Sequence, residues 1–254
     1  MPSVIAHRGF AGINPENTVA AVRTAADRAD SVEVDVVACA DGTPVVFHDA
    51  RLDEAEGSRG VTDGAGAVGD LSPGAVTAAE ILESGETVPT LAHLVDATAV
   101  PLDVELKRPA ADHVWRGSLP PGDRETARER WQPFVDRVLD ELDDREIRLS
   151  SFSAGALAAV RERDPPHSRA VLCRALSTGR TLADRYDADA VHPSLAAMRN
   201  ADPGAVAAVH DAGRDVNVWT VRTWVEARAA VRAGADGLIA DYPGIEQWLG
   251  EESG

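Results

Sequence analysis

Short apolar runs alternate with longer, Ala-rich amphipathic stretches along the chain. The apolar runs predict strands at residues 4–7, 32–37, 44–49, 101–106, 147–152, 169–173, 189–193, 215–221 and 236–241. The stretches between them predict helices at 18–29, 125–144, 154–163, 177–186, 202–212 and 222–233. Thr18 is suited to cap the first helix, and Gly234 to stop the last.

Strand–helix–strand alternation of this kind predicts a parallel sheet with helices outside it. One pair breaks the rhythm. Residues 32–37 and 44–49 are separated by a turn containing Asp41-Gly42, a hairpin signal, so 44–49 should run antiparallel and outside the main count. Eight strands then remain, the number of a (β/α)8 TIM barrel. An open doubly wound sheet is the alternative, but its Gly-rich phosphate turn is missing. Residues 50–89, rich in Gly, Asp and Ser, predict a small irregular insertion after the hairpin, over one barrel mouth. Residues 109–124 form a second irregular stretch. Residues 1–254 are expected to form a single domain.

Charge narrows the partners. Asp+Glu number 42 against 25 Lys+Arg, a formal net charge of -17. Such a surface repels nucleic acid and anionic membranes, so neither is an expected partner. Lys107 is the lone lysine; the remaining basic residues are arginine. Acid excess, 4% aromatics and near absence of lysine resemble a salt-adapted composition. Cys39 and Cys173 lie in apolar runs and are expected to be buried free thiols. No basic, apolar leader precedes the first strand, and no apolar run reaches about 18 residues, so a soluble, cytoplasmic protein is expected. Oligomeric state is not legible.

The polar residues within these strands carry the chemistry. His7 and Arg8 follow the first run, Glu33 and Asp35 lie in the second, His48 and Asp49 end the hairpin strand, and Glu105 and Lys107 close the next. A strand's period of two puts Glu33 and Asp35 on one face, and likewise Glu105 and Lys107. Barrel active sites lie where the strands end at their C-termini. Three carboxylates converging there need compensation, either from Arg8 and Lys107 or from a hard divalent cation with oxygen ligands, Mg2+ or Ca2+. Lys107, kept where lysine is otherwise lost, suits a phosphoryl oxygen as a point charge. Glu16 and Asn17 read as supports or as a helix cap, Asp241 as an anchor for the last loop, and His192 as a pocket or loop residue. His93, His113, His167 and His210 read as surface or core histidines, and Trp115 and Trp131 as packing residues.

In order, "IAHRG…NPENT", "VEVDV", "PVVFHD", "PTL", "LDVELK" and "GADGLIADYP" resemble the glycerophosphodiester phosphodiesterase family over most of the chain. The resemblance implies a TIM barrel, a divalent cation and hydrolysis of a small-molecule glycerophosphodiester to an alcohol and glycerol phosphate. It implies that Glu33, Asp35 and Glu105 hold the metal and that His7 and His48 are the acid/base pair, with the two roles unassigned between them. Arg8 and Lys107 would bind phosphate, and Trp219 would pack on the glycerol side. Ala92-His93, Arg222 and Ala240 depart from the family pattern around the leaving-group pocket. A phospholipase-type barrel acting on intact lipid and a non-catalytic phosphodiester binder are the competing readings. The charge speaks against the first, and the retained histidines and carboxylates against the second.

Overall fold

The computed structural model describes residues 1–55, 57–108, 119–142, 145–247 and 249. The first half contains β1 (Ser3–His7), α1 (Val19–Ala26), β2 (Ser31–Ala38), β3 (Pro44–Val46), a 3-10 turn (Val68–Asp70), α2 (Pro73–Thr77), α3 (Leu91–Ala97), β4 (Leu102–Arg108) and α4 (Pro121–Glu141). The second half contains β5 (Ile147–Ser151), α5 (Ala154–Arg163), β6 (Ser168–Cys173), α6 (Leu176–Tyr186), β7 (Ala190–Pro193), α7 (Leu195–Arg199), α8 (Ala207–His210), β8 (Asp215–Val221), α9 (Trp224–Arg232) and β9 (Gly237–Ala240).

Eight parallel strands close a ring in the order β1-β2-β4-β5-β6-β7-β8-β9, with β9 pairing back to β1. This is the (β/α)8 TIM barrel that the alternation predicts. β3 lies outside the ring, antiparallel to β2. Strand periodicity divides each strand between two environments. In β2, Val32, Val34 and Val36 join the apolar cluster that includes helix residues such as Val22, Leu94 and Val135. Glu33 and Asp35 alternate with them and belong to the other face.

Some boundaries differ from the sequence expectation. The hairpin strand stops at Val46, which leaves His48 and Asp49 just beyond it. The helix expected over 202–212 shrinks to α8, because Pro203 and Gly204, the latter at φ +80°, occupy its expected first turn; α7 precedes that range and was not expected. α4 begins earlier than expected, with Pro121 in its first turn, where a missing N–H costs nothing. Trp131 of α4 is buried 6.1 Å from Phe134, a packing residue as expected. His113 and Trp115 lie outside the described residues.

The 50–89 excursion has its own apolar root. Val45, Phe47, Leu52, Val76, Ile81 and Val88 form a second cluster between it and the hairpin. Cys39 and Cys173 are buried and free, and burial pushes both thiols up to about 12.

One local device recurs at the strand starts. Ala-Asp precedes β2, β7 and β9, as Asp30, Asp189 and Asp236. Each aspartate clasps the second residue of the neighbouring strand: its N–H donates to that residue's carbonyl, and its Oδ2 accepts from that residue's N–H. The partners are Val4 (2.9 and 2.8 Å), Arg169 (2.8 and 2.7 Å) and Val216 (2.8 and 2.8 Å). At the N-terminal face of a barrel such contacts serve stability. Asp189→Ala and Asp236→Ala should each cost about 1–3 kcal/mol, since a strand N–H loses its acceptor. Thermal melts should show Tm lowered by about 2–4 °C per kcal/mol with catalytic rate unchanged. An unchanged Tm would remove the clasp from the stability account.

Candidate active site

The strand register stacks the site in levels. His7 pairs with Glu33, and Glu33 with Asp103. Asp35 pairs with Glu105, and Glu105 with Ser150. In neighbouring parallel strands, paired residues share a face, so these polar side chains gather inside the ring toward the strand C-termini. Ligand oxygens of Glu33, Asp35 and Glu105 lie within 4.8 Å of one another, and all three residues are buried. The carboxylates expected from sequence do converge.

Two strands change register where the site needs them to. In β4 and β2 the pairing jumps from Val36↔Leu106 to Val37↔Arg108, leaving Lys107 as the extra residue of a bulge. In β8 and β9 it jumps from Val218↔Leu238 to Val221↔Ala240, so Trp219 and Thr220 oppose one residue. Bulges re-aim side chains. Here they deliver Lys107 and Trp219 to the pocket wall. After β1 the chain turns sharply: Arg8, Gly9 and Phe10 all have positive φ, at 53°, 76° and 64°. A Cβ on Gly9 would stand 2.8 Å from the Ala21 backbone of α1, so this turn tolerates no larger residue at Gly9.

Asp35 is the hub. Its Oδ2 lies 2.9 Å from Arg8 Nε and accepts from Asn17 Nδ2 at 2.9 Å, while its Oδ1 lies 3.2 Å from Lys107 Nζ. The Asp35 N–H donates to Asn17 Oδ1 at 3.1 Å. Burial pushes the Asp35 carboxyl up, but Arg8 and Lys107 outweigh it and hold it well below the usual range. Glu33 fares differently: burial, then the neighbouring Asp35 charge, drive it well above the usual range. Its Oε2 accepts from the Arg8 backbone N–H at 3.1 Å. Burial also raises Glu105, although Lys107 Nζ stands 3.0 Å away. Burial depresses Lys107, but Glu105 and Asp35 more than offset that, so it stays charged.

Each histidine has its own carboxylate. His7 Nδ1 is 2.6 Å from Asp241 Oδ1, which directs Nε2 toward Glu33 Oε2, 3.9 Å away. His48 Nδ1 is 2.5 Å from Asp49 Oδ1. Burial lowers both imidazoles below their ordinary value, against the pull of those partners. Asp49 is held in turn by Arg59, whose backbone N–H donates to Asp49 Oδ2 at 3.0 Å and whose guanidinium grips Glu16 at 2.6 and 2.8 Å. Glu16 also accepts from Arg8, at 3.1 Å. Arg59 belongs to the 50–89 excursion, which thus reaches the mouth of the barrel.

His7, Arg8, Glu16, Glu33, His48, Arg59, Glu105, Lys107 and Asp241 line one cavity of about 510 Å³. Its other wall carries Phe152, Arg174 and Trp219. His192 is a buried strand residue there: its Nδ1 stands 3.6 Å from Asp103 Oδ2, and its Nε2 3.0 Å from Asn217 Nδ2. Sequence reasoning missed Arg59, Arg174, Phe152 and Asp103 and gave Asp49 no role. The period of two, carried back from Glu105, pointed to Asp103; for Arg59, in a Gly-rich stretch without periodicity, no signal existed.

The fold and site define a barrel enzyme with a buried cluster of acids, cations and histidines at its catalytic face. Residues 7–245 match the model of the glycerophosphoryl diester phosphodiesterase family, and the chain belongs to that family. It is 26% identical to a glycerophosphodiester phosphodiesterase of Bacillus altitudinis over 250 residues, 96% of each chain. It is 30% identical to the probable glycerophosphodiester phosphodiesterase 2 of Mycobacterium tuberculosis, over 93% of this chain and 86% of that one. Among solved structures it resembles an Oleispira antarctica phosphodiesterase in complex with the product sn-glycerol-3-phosphate, with TM-score 0.80 and 25% identity over 99% and 98% of the two chains.

The Asp49 contact makes a testable claim. Asp49 favours the charged form of His48, so Asp49→Asn should lower the His48 pKa further. Any limb of the kcat/KM–pH profile that His48 sets should then move to lower pH. A profile that keeps its limbs while its height falls would reduce Asp49 to a packing role.

Proposed function

We propose that this enzyme hydrolyses glycerophosphodiesters to an alcohol and glycerol phosphate, with His7 and His48 as the acid/base pair beside a divalent cation, Mg2+ or Ca2+, held by Glu33, Asp35 and Glu105. One observation carries the reading. Two histidines, each oriented through Nδ1 by its own carboxylate, line the same cavity as Glu33, Glu105, Arg8 and Lys107, and Asp35 converges with those two acids.

The residues fit a hard cation. The donor set is all oxygen, as Mg2+ and Ca2+ require. Asp35 Oδ1 is buried and ion-paired with Lys107 at 3.2 Å but makes no hydrogen bond. Arg8 and Lys107 compensate Asp35, yet Glu33 and Glu105 remain under-compensated, which is the electrostatic vacancy a divalent ion fills. When bound, the ion neutralises charge on the phosphodiester as a Lewis acid.

The chain's own groups supply the rest. The Lys107 ammonium, with three donors on a flexible stem, reaches a phosphoryl oxygen, and Arg8 adds a fixed cation beside it. In-line displacement puts the attacking and leaving oxygens on opposite sides of phosphorus, so each needs its own proton partner. With Nδ1 engaged, each ring offers Nε2: one takes the proton from the nucleophile, and the other gives one to the departing alkoxide. Burial lowers both imidazoles and so favours the neutral ring that the base role needs, while the carboxylate at each Nδ1 favours the charged ring that the acid role needs. Trp219, whose Nε1 donates to the His192 carbonyl at 2.7 Å, packs on the glycerol side.

Release of glycerol phosphate from glycerophosphoglycerol should stop with EDTA and return with Mg2+ or Ca2+. Glu33→Gln and Glu105→Gln should require more metal for half-activation. Full activity after exhaustive chelation would sink the metal assignment. His7→Ala and His48→Ala should each lower kcat by about 10²–10⁴ with melting curves unchanged. Near-normal turnover by either, on an unactivated alcohol leaving group, would overturn the acid/base assignment.

A further inference from the structure

Arg174 follows β6 directly and stands over two aromatic rings. Its guanidinium carbon lies 5.1 Å from the Trp219 ring centre and 5.6 Å from that of Phe152. The two rings meet edge to face, 5.4 Å apart and inclined at 89°. An aromatic pair of this kind is a ready cradle for a substrate ammonium, such as choline. Here the protein's own arginine already occupies that position.

Arg174 has a second unusual property. Acids outnumber bases 42 to 25 in this chain, and the cations at the catalytic cluster are all ion-paired. No described carboxylate lies within 4.0 Å of Arg174. The same holds for Arg180, one turn into α6. These two arginines line a hollow of about 280 Å³, together with Ser177 and Asn200, and Arg174 also lines the catalytic cavity. Asp202 lines the hollow too, without reaching either guanidinium. An anion-deficient hollow thus adjoins the catalytic cavity at Arg174, on the side of Trp219.

We propose that this hollow is a second anion subsite: Arg174 and Arg180 receive a phosphate carried on the far end of the substrate's glycerol, so the preferred substrates are glycerophosphodiesters with a second anionic group. The proposal rests on the phosphodiesterase reading and on the glycerol lying against Trp219. Guanidinium forks match phosphate oxygens in geometry and charge. Held on the ring faces, Arg174 presents its N–H donors at fixed orientation with little entropy left to lose. The same arrangement works against other arms. A cation meets two like charges and occupied rings, and an acyl chain would strip water from guanidinium groups that it cannot bond.

The test holds the leaving group constant and varies only the distal glycerol oxygen. Glycerophosphocholine, its derivative phosphorylated on the distal glycerol hydroxyl, and lysophosphatidylcholine, acylated there, are compared at about 0.1 M salt. The phosphorylated compound should exceed glycerophosphocholine in kcat/KM by about tenfold, chiefly through KM, and the acyl compound should fall below it by at least as much. Arg174→Gln/Arg180→Gln should abolish the phosphate preference. The readout is a ratio within one preparation, so a general loss of activity cancels. In parallel, calorimetry should show glycerol 1,3-bisphosphate binding the wild-type protein about tenfold more tightly than glycerol 3-phosphate, a margin the double variant loses. Hydrolysis of glycerophosphocholine without that margin, or a margin that survives in the double variant, overturns the subsite. Failure to hydrolyse any of the three, with the binding margin intact, overturns the phosphodiesterase reading instead.

Discussion

Everything at the catalytic face depends on keeping the Asp35 charge inside the barrel. An ion taken out of water costs several kcal/mol even after relaxation, so a buried carboxylate persists only where its partners are fixed in advance. Arg8, Lys107 and Asn17 are those partners, supplied from the end of β1, the end of β4 and the turn before α1. Once they satisfy Asp35, the two other acids can be brought close without equal compensation. This imbalance is the vacancy that the proposed divalent cation would fill.

That requirement explains the backbone irregularities. A regular strand would count Lys107 into the ladder and give it no extra room to reach both Asp35 and Glu105. The bulge at Lys107 places its ammonium 3.2 Å from one and 3.0 Å from the other. Arg8 adopts a positive φ that non-glycine residues avoid, and this lets its backbone N–H serve Glu33 while its side chain serves Asp35. Such departures cost energy and persist where surrounding contacts over-determine them. Here the buried charges are those contacts.

The same logic separates what was legible in the sequence from what was not. The barrel could be read because valine alternation in β2 and the Ala-rich helices are local patterns. So could Glu33, Asp35, Glu105 and Lys107, because acids and a lone lysine inside apolar runs contradict their surroundings. Arg59 and Arg174 could not. Arg59 is a polar residue in a polar stretch and Arg174 lies just past an apolar run, and only the closure of the ring and the folding of 50–89 onto its own apolar root bring them to the cavity. The late start of α8 was written in Pro203 and Gly204, but the apolar residues over 202–212 led to a longer helix being expected.

The surface charge then acquires a purpose that composition alone could not give it. A chain of net charge -17 repels an anionic substrate at long range. Salt screens that repulsion over roughly 8–10 Å at moderate ionic strength, whereas pairs buried in the barrel are screened far less. Capture therefore falls to the cations at the cavity, and most of these are ion-paired with the acids they compensate. Arg59 is divided between Glu16 and Asp49, Arg8 between Glu16 and Asp35, and Arg222 is bound to Asp241. These pairs hold the site's groups in place and leave Arg174 as a cavity cation with no described carboxylate within 4.0 Å. Discrimination among anions therefore rests on contacts made within the cavity rather than on the surface field.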